Sequence, residues 1–372
     1  MADLSTAKTP WLYLPDGWNT RWLAAKGGAG SVPARLHIQG DSLAVGVGIS
    51  TFAGTWTEQL HRYLLSELGG RWGEFHAAQM GYLGGDANGG PWSSALNSAT
   101  ITRYPISFGG GIYSPTTTSV AYQTFTTPFA CTAFDFYHYA WNYPGTWNYS
   151  LDGGANVQVT NPADLLIHKI GFSGLTLQAH TFSWGWSSAN ATVNPQGCVT
   201  YAPGNPEGGL FFGIFGASGC AMNDCVPASL SGVGTSSLAP GGGSPVGADL
   251  VVCQLVTNDV SNGITVAAFS QSMSQMIRAY RRAQPGCSFL FVIPSYPDST
   301  IDHVTSAFGH QPIAYQYHEE ILRLAQLNGC AVVNFHQKWG ATPYASGYMP
   351  SNDLHYNQTG HNDVFAAIQA LV

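Results

Sequence analysis

Gly40-Asp41-Ser42-Leu43 sets a serine directly after a short apolar strand pattern, Leu36-His37-Ile38, and ahead of a helix. Near the other end of the chain stand a carboxylate and an imidazole, in Asp353-Leu354-His355-Tyr356-Asn357-Gln358-Thr359-Gly360-His361. Together these are the side chains that nucleophilic acyl transfer needs. Ser42 would attack, His355 would take and return its proton, and Asp353 would hold the imidazole in its working tautomer. A serine at a strand-to-helix turn also has its backbone N–H at a helix N-terminus, where developing negative charge is favoured. Taken alone, Gly-Asp-Ser is equally a turn or a helix cap, and a histidine is a common buried polar residue. A third segment, Thr257-Asn258-Asp259, follows the apolar run 248–256 and offers a side-chain amide that can donate to an oxyanion.

Positioning such residues requires elements that end at one edge. Trp56, Leu60, Tyr63, Leu64 and Leu68 recur at helical spacing, which predicts a helix over 55–68. Apolar runs at 210–215, 248–256, 287–293 and 330–335 read as buried strands, and the intervening patterns predict helices over 266–283, over 313–327 and from Gly360 onward. Continuous apolar strands alternating with amphipathic helices mean an α/β fold: a parallel sheet covered on both faces, with ligands at the carboxyl ends of its strands.

Between about 91 and 206 the texture changes to alternating strands such as Phe134-Asp135-Phe136-Tyr137-His138-Tyr139, broken by Asn, Gly and Pro turn signals. That stretch predicts an inserted antiparallel β-sandwich of jelly-roll type over 95–205. Trp141, Trp147, Trp184 and Trp186 in it are either sandwich core or sugar-stacking faces. Residues 1–33 carry Trp11, Leu12, Tyr13, Leu14, Trp18 and Trp22 among Pro and Gly, an aromatic arm expected to dock on its own domain or on a neighbour.

Charged residues make up only 9% of the chain, against about 25% in an ordinary soluble domain, while aromatics and Gly are plentiful. A net charge of -7 with 13 Lys and Arg argues against a nucleic-acid ligand. The N-terminus lacks a secretory signal pattern and no stretch approaches 18 apolar residues, so no membrane-spanning segment is expected. The seven cysteines show no zinc spacing. Cys253, Cys287 and Cys330 read as buried thiols, and only Cys220 and Cys225 lie close enough to bridge.

The three chemical segments resemble the SGNH, or GDSL, hydrolase family. Gly40-Asp41-Ser42-Leu43 matches its first block, and Thr257-Asn258-Asp259 its Gly-x-Asn-Asp block with Thr in place of Gly. His355-x-Asn357-x-x-Gly360-His361 matches its terminal block. The likeness spans residues 34–94 and 206–372, which would form the hydrolase domain. It implies a metal-independent, cofactor-free serine esterase with Ser42, Asp353 and His355 as catalytic residues and Ser42, Gly219 and Asn258 as the oxyanion hole. The family places its aspartate three residues before the histidine, where this chain has Asn352, so either a shifted loop lets Asp353 orient His355 or the enzyme relies largely on a Ser42–His355 pair. For the glycine that donates to the oxyanion, Gly219 in Phe215-Gly216-Ala217-Ser218-Gly219 follows a better strand than Gly81 or Gly84 and carries the block's Ser-Gly ending.

The arm, the glycine-rich style and the β-insert are similar in layout to SGNH-type minor tail proteins of phages infecting actinobacteria. That layout implies a virion-tail or extracellular location, tail-protein partners through the arm, and a ring-like homo-oligomer. The expected substrate is an ester of an envelope polysaccharide or lipid, O-acetyl groups first. Alternatives are a lipase for longer acyl chains or a non-catalytic receptor-binding module that keeps the fold.

Overall fold

A computed structural model of the chain describes residues 10–77, 92–94, 99–103, 111–115, 122–140, 145–162, 164, 167–186, 194–203, 208–216, 219–225, 247–295, 311–340, 343–350 and 354–372. The chain enters through β1 (Leu12–Tyr13) and α1 (Thr20–Gly28), then forms β2 (Ala34–Gly40), the one-turn α2 (Ser42–Val45), α3 (Trp56–Glu67) and β3 (Arg71–Ala77). A run of strands follows: β4 (Trp92–Ser94), β5 (Ala99–Arg103), β6 (Gly111–Pro115), β7 (Tyr122–Thr126), β8 (Cys131–Tyr139), β9 (Thr146–Leu151), β10 (Val157–Thr160), β11 (Ile167–Gln178), β12 (Thr181–Trp186) and β13 (Asn194–Tyr201). Strand–helix alternation then resumes with β14 (Leu210–Gly216), α4 (Met222–Cys225), β15 (Leu250–Gln254), α5 (Thr257–Ser261), α6 (Val266–Ala283), β16 (Ser288–Ile293), α7 (Gln311–Asn328), β17 (Ala331–Asn334), α8 (Phe335–Trp339) and α9 (Gln358–Gln369).

Ten strands hydrogen-bond in the order β1-β17-β16-β15-β2-β14-β3-β13-β8-β11, and the six from β17 to β3 are parallel. Their near-complete burial follows from the period-2 alternation of side chains in a sheet covered on both faces. Along β15, Leu250 and Val252 point into the layer that holds Trp56, Leu60 and Ile368. Val251 and Cys253 point into the opposite layer with Phe269, Met273 and Ile277. Helices α3 and α9 pack together on the first side, and α6 with α7 on the second. This is the three-layer α/β arrangement expected from the sequence.

The described strands of 95–205 do not all stand apart from that sheet. β13 pairs antiparallel with β3, Cys198 opposite His76, so β13, β8 and β11 extend the same sheet beyond its parallel part. A second antiparallel sheet, β10-β9-β12-β7-β4, faces this extension. Phe136 of β8 meets Phe182 of β12 at 4.6 Å between ring centroids and Trp147 of β9 at 5.9 Å. Trp147 and Trp184 are 1% and 0% exposed, which corrects the sugar-stacking alternative for these two: both are core. The Trp141 position and the Trp186 side chain lie outside the described residues.

The arm docks on its own domain along residues 11–28. β1 adds to the edge of β17, Leu12 opposite Val333, and the Trp22 indole N–H donates to the carbonyl of Val372 at 2.9 Å. At the amino edge of the sheet, Arg21 and Arg35 both pair with the buried carboxylate of Asp249, at 2.7 and 3.0 Å.

Candidate active site

Gly40 ends β2 in register with Gly216 of β14 on one side and Gln254 of β15 on the other, so the turn after it opens at the carboxyl edge in the middle of the sheet. A Cβ on Gly40 would stand 2.2 Å from that of Ala44, so only glycine lets the chain turn this sharply into α2. Asp41 then caps α2, its carboxylate accepting the backbone N–H of Leu43 at 2.9 Å. Ser42 is the first residue of that helix and is 5% exposed. Burial raises the Asp41 carboxyl to about 7, against the opposing pull of the backbone N–H groups it accepts. Thr57 ties the turn to α3 by donating to the carbonyl of Ala44 at 2.9 Å.

The next strand over delivers Asn258. Val256, between β15 and α5, has φ +133°, a conformation that costs a β-branched residue energy and turns the chain back over the sheet edge. The Asn258 side-chain amide donates to the carbonyl of Cys220 at 2.9 Å and lies 3.4 Å from the carboxylate of Asp41. Its neighbour Asp259, fully buried, accepts the backbone N–H of Met222 with both oxygens, at 3.0 and 2.9 Å. Two consecutive residues of one segment therefore pin the turn that carries Gly219, which itself has φ +78°. Cys220 is buried, and the Cys225 side chain lies outside the described residues.

His355 is partly buried in the turn before α9. Asn357 caps that helix through the N–H of Gly360 at 3.0 Å, and a Cβ on Gly360 would collide with the carbonyl of Tyr348, 2.4 Å away. These two contacts give Asn357 and Gly360 structural roles at their spacing after the histidine. Gly48, in the loop that leaves α2, has φ +97°, and a Cβ there would come within 2.9 Å of the His355 Cβ. The serine loop and the histidine loop are thus in direct contact.

Beside His355, the Tyr356 hydroxyl accepts from the Gln254 amide at 3.0 Å, and the other end of that amide accepts the Trp56 indole N–H at 2.9 Å. His361 accepts the backbone N–H of Trp56 at 3.2 Å, and burial followed by its neighbour His355 lowers it to about 3, which leaves it neutral. It therefore holds the first N–H of α3 from within α9. Asp353, Asn352, Gly81 and Gly84 lie outside the described residues. Ser42, Asn258, the Gly219 turn and the His355 turn do come to the same sheet edge. Sequence reasoning missed Gln254, Trp56 and Gly48, whose only signals were a polar residue ending a buried strand, a helix-start tryptophan and one glycine among many. Among the described residues no group of three His, Cys, Asp or Glu side chains is arranged to hold a metal ion, and no helix is long and apolar enough to cross a membrane.

Residues 204–362 match the GDSL-like Lipase/Acylhydrolase family. No curated protein matches the chain. Among solved structures it is similar to a peptidoglycan O-acetylesterase, with a TM-score of 0.58 and 15% identity over 95% of each chain, a likeness of fold. Two others overlap it more loosely. A lipase/acylhydrolase from Enterococcus faecalis has a TM-score of 0.34 and 19% identity over 43% of this chain and 74% of that one. A family 2 carbohydrate esterase with a carbohydrate-binding domain from Corynascus thermopiles has a TM-score of 0.31 and 15% identity over 73% and 99%.

Proposed function

We propose that this chain, whose residues 204–362 match the GDSL-like Lipase/Acylhydrolase family, is a carboxylic ester hydrolase that cleaves O-acetyl or related esters on envelope glycans through an acyl-enzyme on Ser42. The observation that carries the residue roles is the meeting of Ser42, Asn258 and the His355 turn at one sheet edge. The Ser42 hydroxyl attacks the ester carbonyl carbon while His355 accepts its proton. The C–O bond to the alcohol then breaks, and the same proton leaves on the alcohol. Water repeats the sequence on the acyl-serine, releasing the acid and restoring the hydroxyl. Asp353 orients His355 in this reading.

The oxyanion is held by the N–H groups of Ser42 and Gly219 and by Asn258. One amide hydrogen of Asn258 is committed to Cys220. The other, at a long 3.4 Å from Asp41, is the one free to turn to the oxyanion. A glycan ester as substrate is supported by the fold shared with a peptidoglycan O-acetylesterase. A role in a phage tail, acting on the host surface, is supported by the layout of arm and β-insert alone.

Ser42→Ala is the test. It should abolish hydrolysis of p-nitrophenyl acetate and of acetylated glycans, and remove labelling by a fluorophosphonate, with the unfolding midpoint unchanged. Retained hydrolysis would remove Ser42 from the mechanism. Faster turnover of long-chain than of acetyl esters would replace the glycan substrate with a lipid one.

A further inference from the structure

We infer that Gln254 is a positioning residue for His355, acting through Tyr356, and this rests on the reading of His355 as the general base. Gln254 ends β15 and is fully buried, directly opposite Gly40, where the serine turn begins. A buried amide at a strand end costs energy unless every polar atom is paired, and here both ends are. The Trp56 indole can only donate, so the amide oxygen must face it, and the NH2 must face the Tyr356 hydroxyl. The orientation of the amide is therefore set by chemistry.

The consequence is a closed circuit around the site. Gln254 holds Trp56, and the Trp56 backbone N–H is held by His361 in α9. The Tyr356 and His361 rings meet edge-on at 5.6 Å, and Tyr356 returns to Gln254. Tyr356 is fully buried, and its hydroxyl also meets the backbone of Ser295 beyond β16. His355 is the residue just before this anchor, with Gly48 of the serine loop against its Cβ. One amide thus references the histidine turn to the strand that flanks the serine turn, over a sequence separation of 102 residues. In acyl transfer, a displacement of about 1 Å between nucleophile and base costs on the order of 100-fold in rate, so a fixed reference of this kind bears on kcat.

The experiment compares Gln254→Met, Tyr356→Phe and the double variant with the full-length wild type, on p-nitrophenyl acetate. Each is read by kcat, KM, the pH–rate profile, fluorophosphonate labelling of Ser42 and the thermal unfolding midpoint. The expected result is a kcat lower by roughly tenfold to hundredfold in Gln254→Met. KM should stay within about twofold, labelling of Ser42 should be slower but complete, and the acid limb of the profile should move. Tyr356→Phe, which removes one oxygen and keeps the ring, should show the same split. The double variant should lose no more than the worse single one, since the Gln254–Tyr356 hydrogen bond is lost in each. Wild-type kcat in folded Tyr356→Phe and Gln254→Met overturns the inference. So does a loss of activity that only tracks the unfolded fraction. A wild type that is neither labelled nor active overturns the serine-esterase reading itself, a result distinct from either.

Discussion

Asn258 holds the backbone of Cys220, not only the space in front of Ser42: its amide donates to that carbonyl at 2.9 Å, while Asp259 grips the N–H of Met222 two residues on. The Thr-Asn-Asp segment therefore shapes the turn that carries Gly219 as well as supplying its own donor. Asn258→Ala should lower kcat on p-nitrophenyl acetate by about 100- to 1,000-fold, as loss of one oxyanion donor does. Asp259→Asn, which keeps one acceptor for Met222, should cost much less. If the Asp259 variant loses as much as the Asn258 variant, the turn's position matters more than the amide donor.

The parts of the site that were legible in the sequence are local in the chain. Ser42, Asn258 and His355 each announce themselves by immediate neighbours: a glycine that only a tight turn needs, an apolar strand just before, a helix cap just after. The parallel sheet was legible for the same reason, because burial on both faces writes itself as an unbroken apolar run. What was not legible depends on pairing at a distance. Gln254 finds Trp56 198 residues away, and β13 finds β3 across a stretch whose composition marked it as a separate unit. No period or spacing encodes such contacts. The tryptophans of the β-rich segment were undecided because a large ring serves equally in a core or on a sugar.

Gly48 gives the contact between the two loops a direct test. Its φ of +97° is strained for any residue with a side chain, and an alanine Cβ would press within 2.9 Å of the His355 Cβ. Gly48→Ala should destabilise by about 1–2 kcal/mol from the backbone alone. It should also lower kcat by roughly tenfold or more at unchanged KM, because the base is pushed off its line to Ser42. Steady-state kinetics below the unfolding transition separates the two effects. An unaltered kcat there would mean that His355 shifts without consequence.

Trp184 and Trp147 face the interior of the paired β-layers, so their replacement is a stability experiment. Trp184→Ala should cost about 3–5 kcal/mol and lower the unfolding midpoint, as truncation of a fully buried aromatic does. Hydrolysis of a small soluble ester should persist at temperatures where the variant is folded. A variant that unfolds like the wild type but loses affinity for acetylated glycan would show that the ring is a binding face after all.

Asp41 makes the serine turn sensitive to pH in a direction opposite to that of an ordinary salt-bridged carboxylate. Its pKa is raised from 3.8 to about 7 in the folded chain, chiefly by burial. The folded state therefore binds this proton more tightly than the unfolded state. The associated stability is fully present below pH 3.8 and is lost as the pH climbs through about 7. Each unit of such a shift is worth about 1.4 kcal/mol, which sets the upper slope. Asp41→Asn removes the titrating proton while its side-chain oxygen can still accept from Leu43. In denaturant titrations the variant should gain on the wild type steadily between pH 3.8 and about 7, and the difference should level off above that. Taking the difference between the two proteins cancels other buried groups, among them His61. There burial opposes the charge, but Glu74 and Glu58 outweigh it and raise the imidazole to about 9. A difference that stays flat across the acid window would mean that Asp41 remains ionised beneath Ser42, its charge held by the N–H of Leu43 and the amide of Asn258.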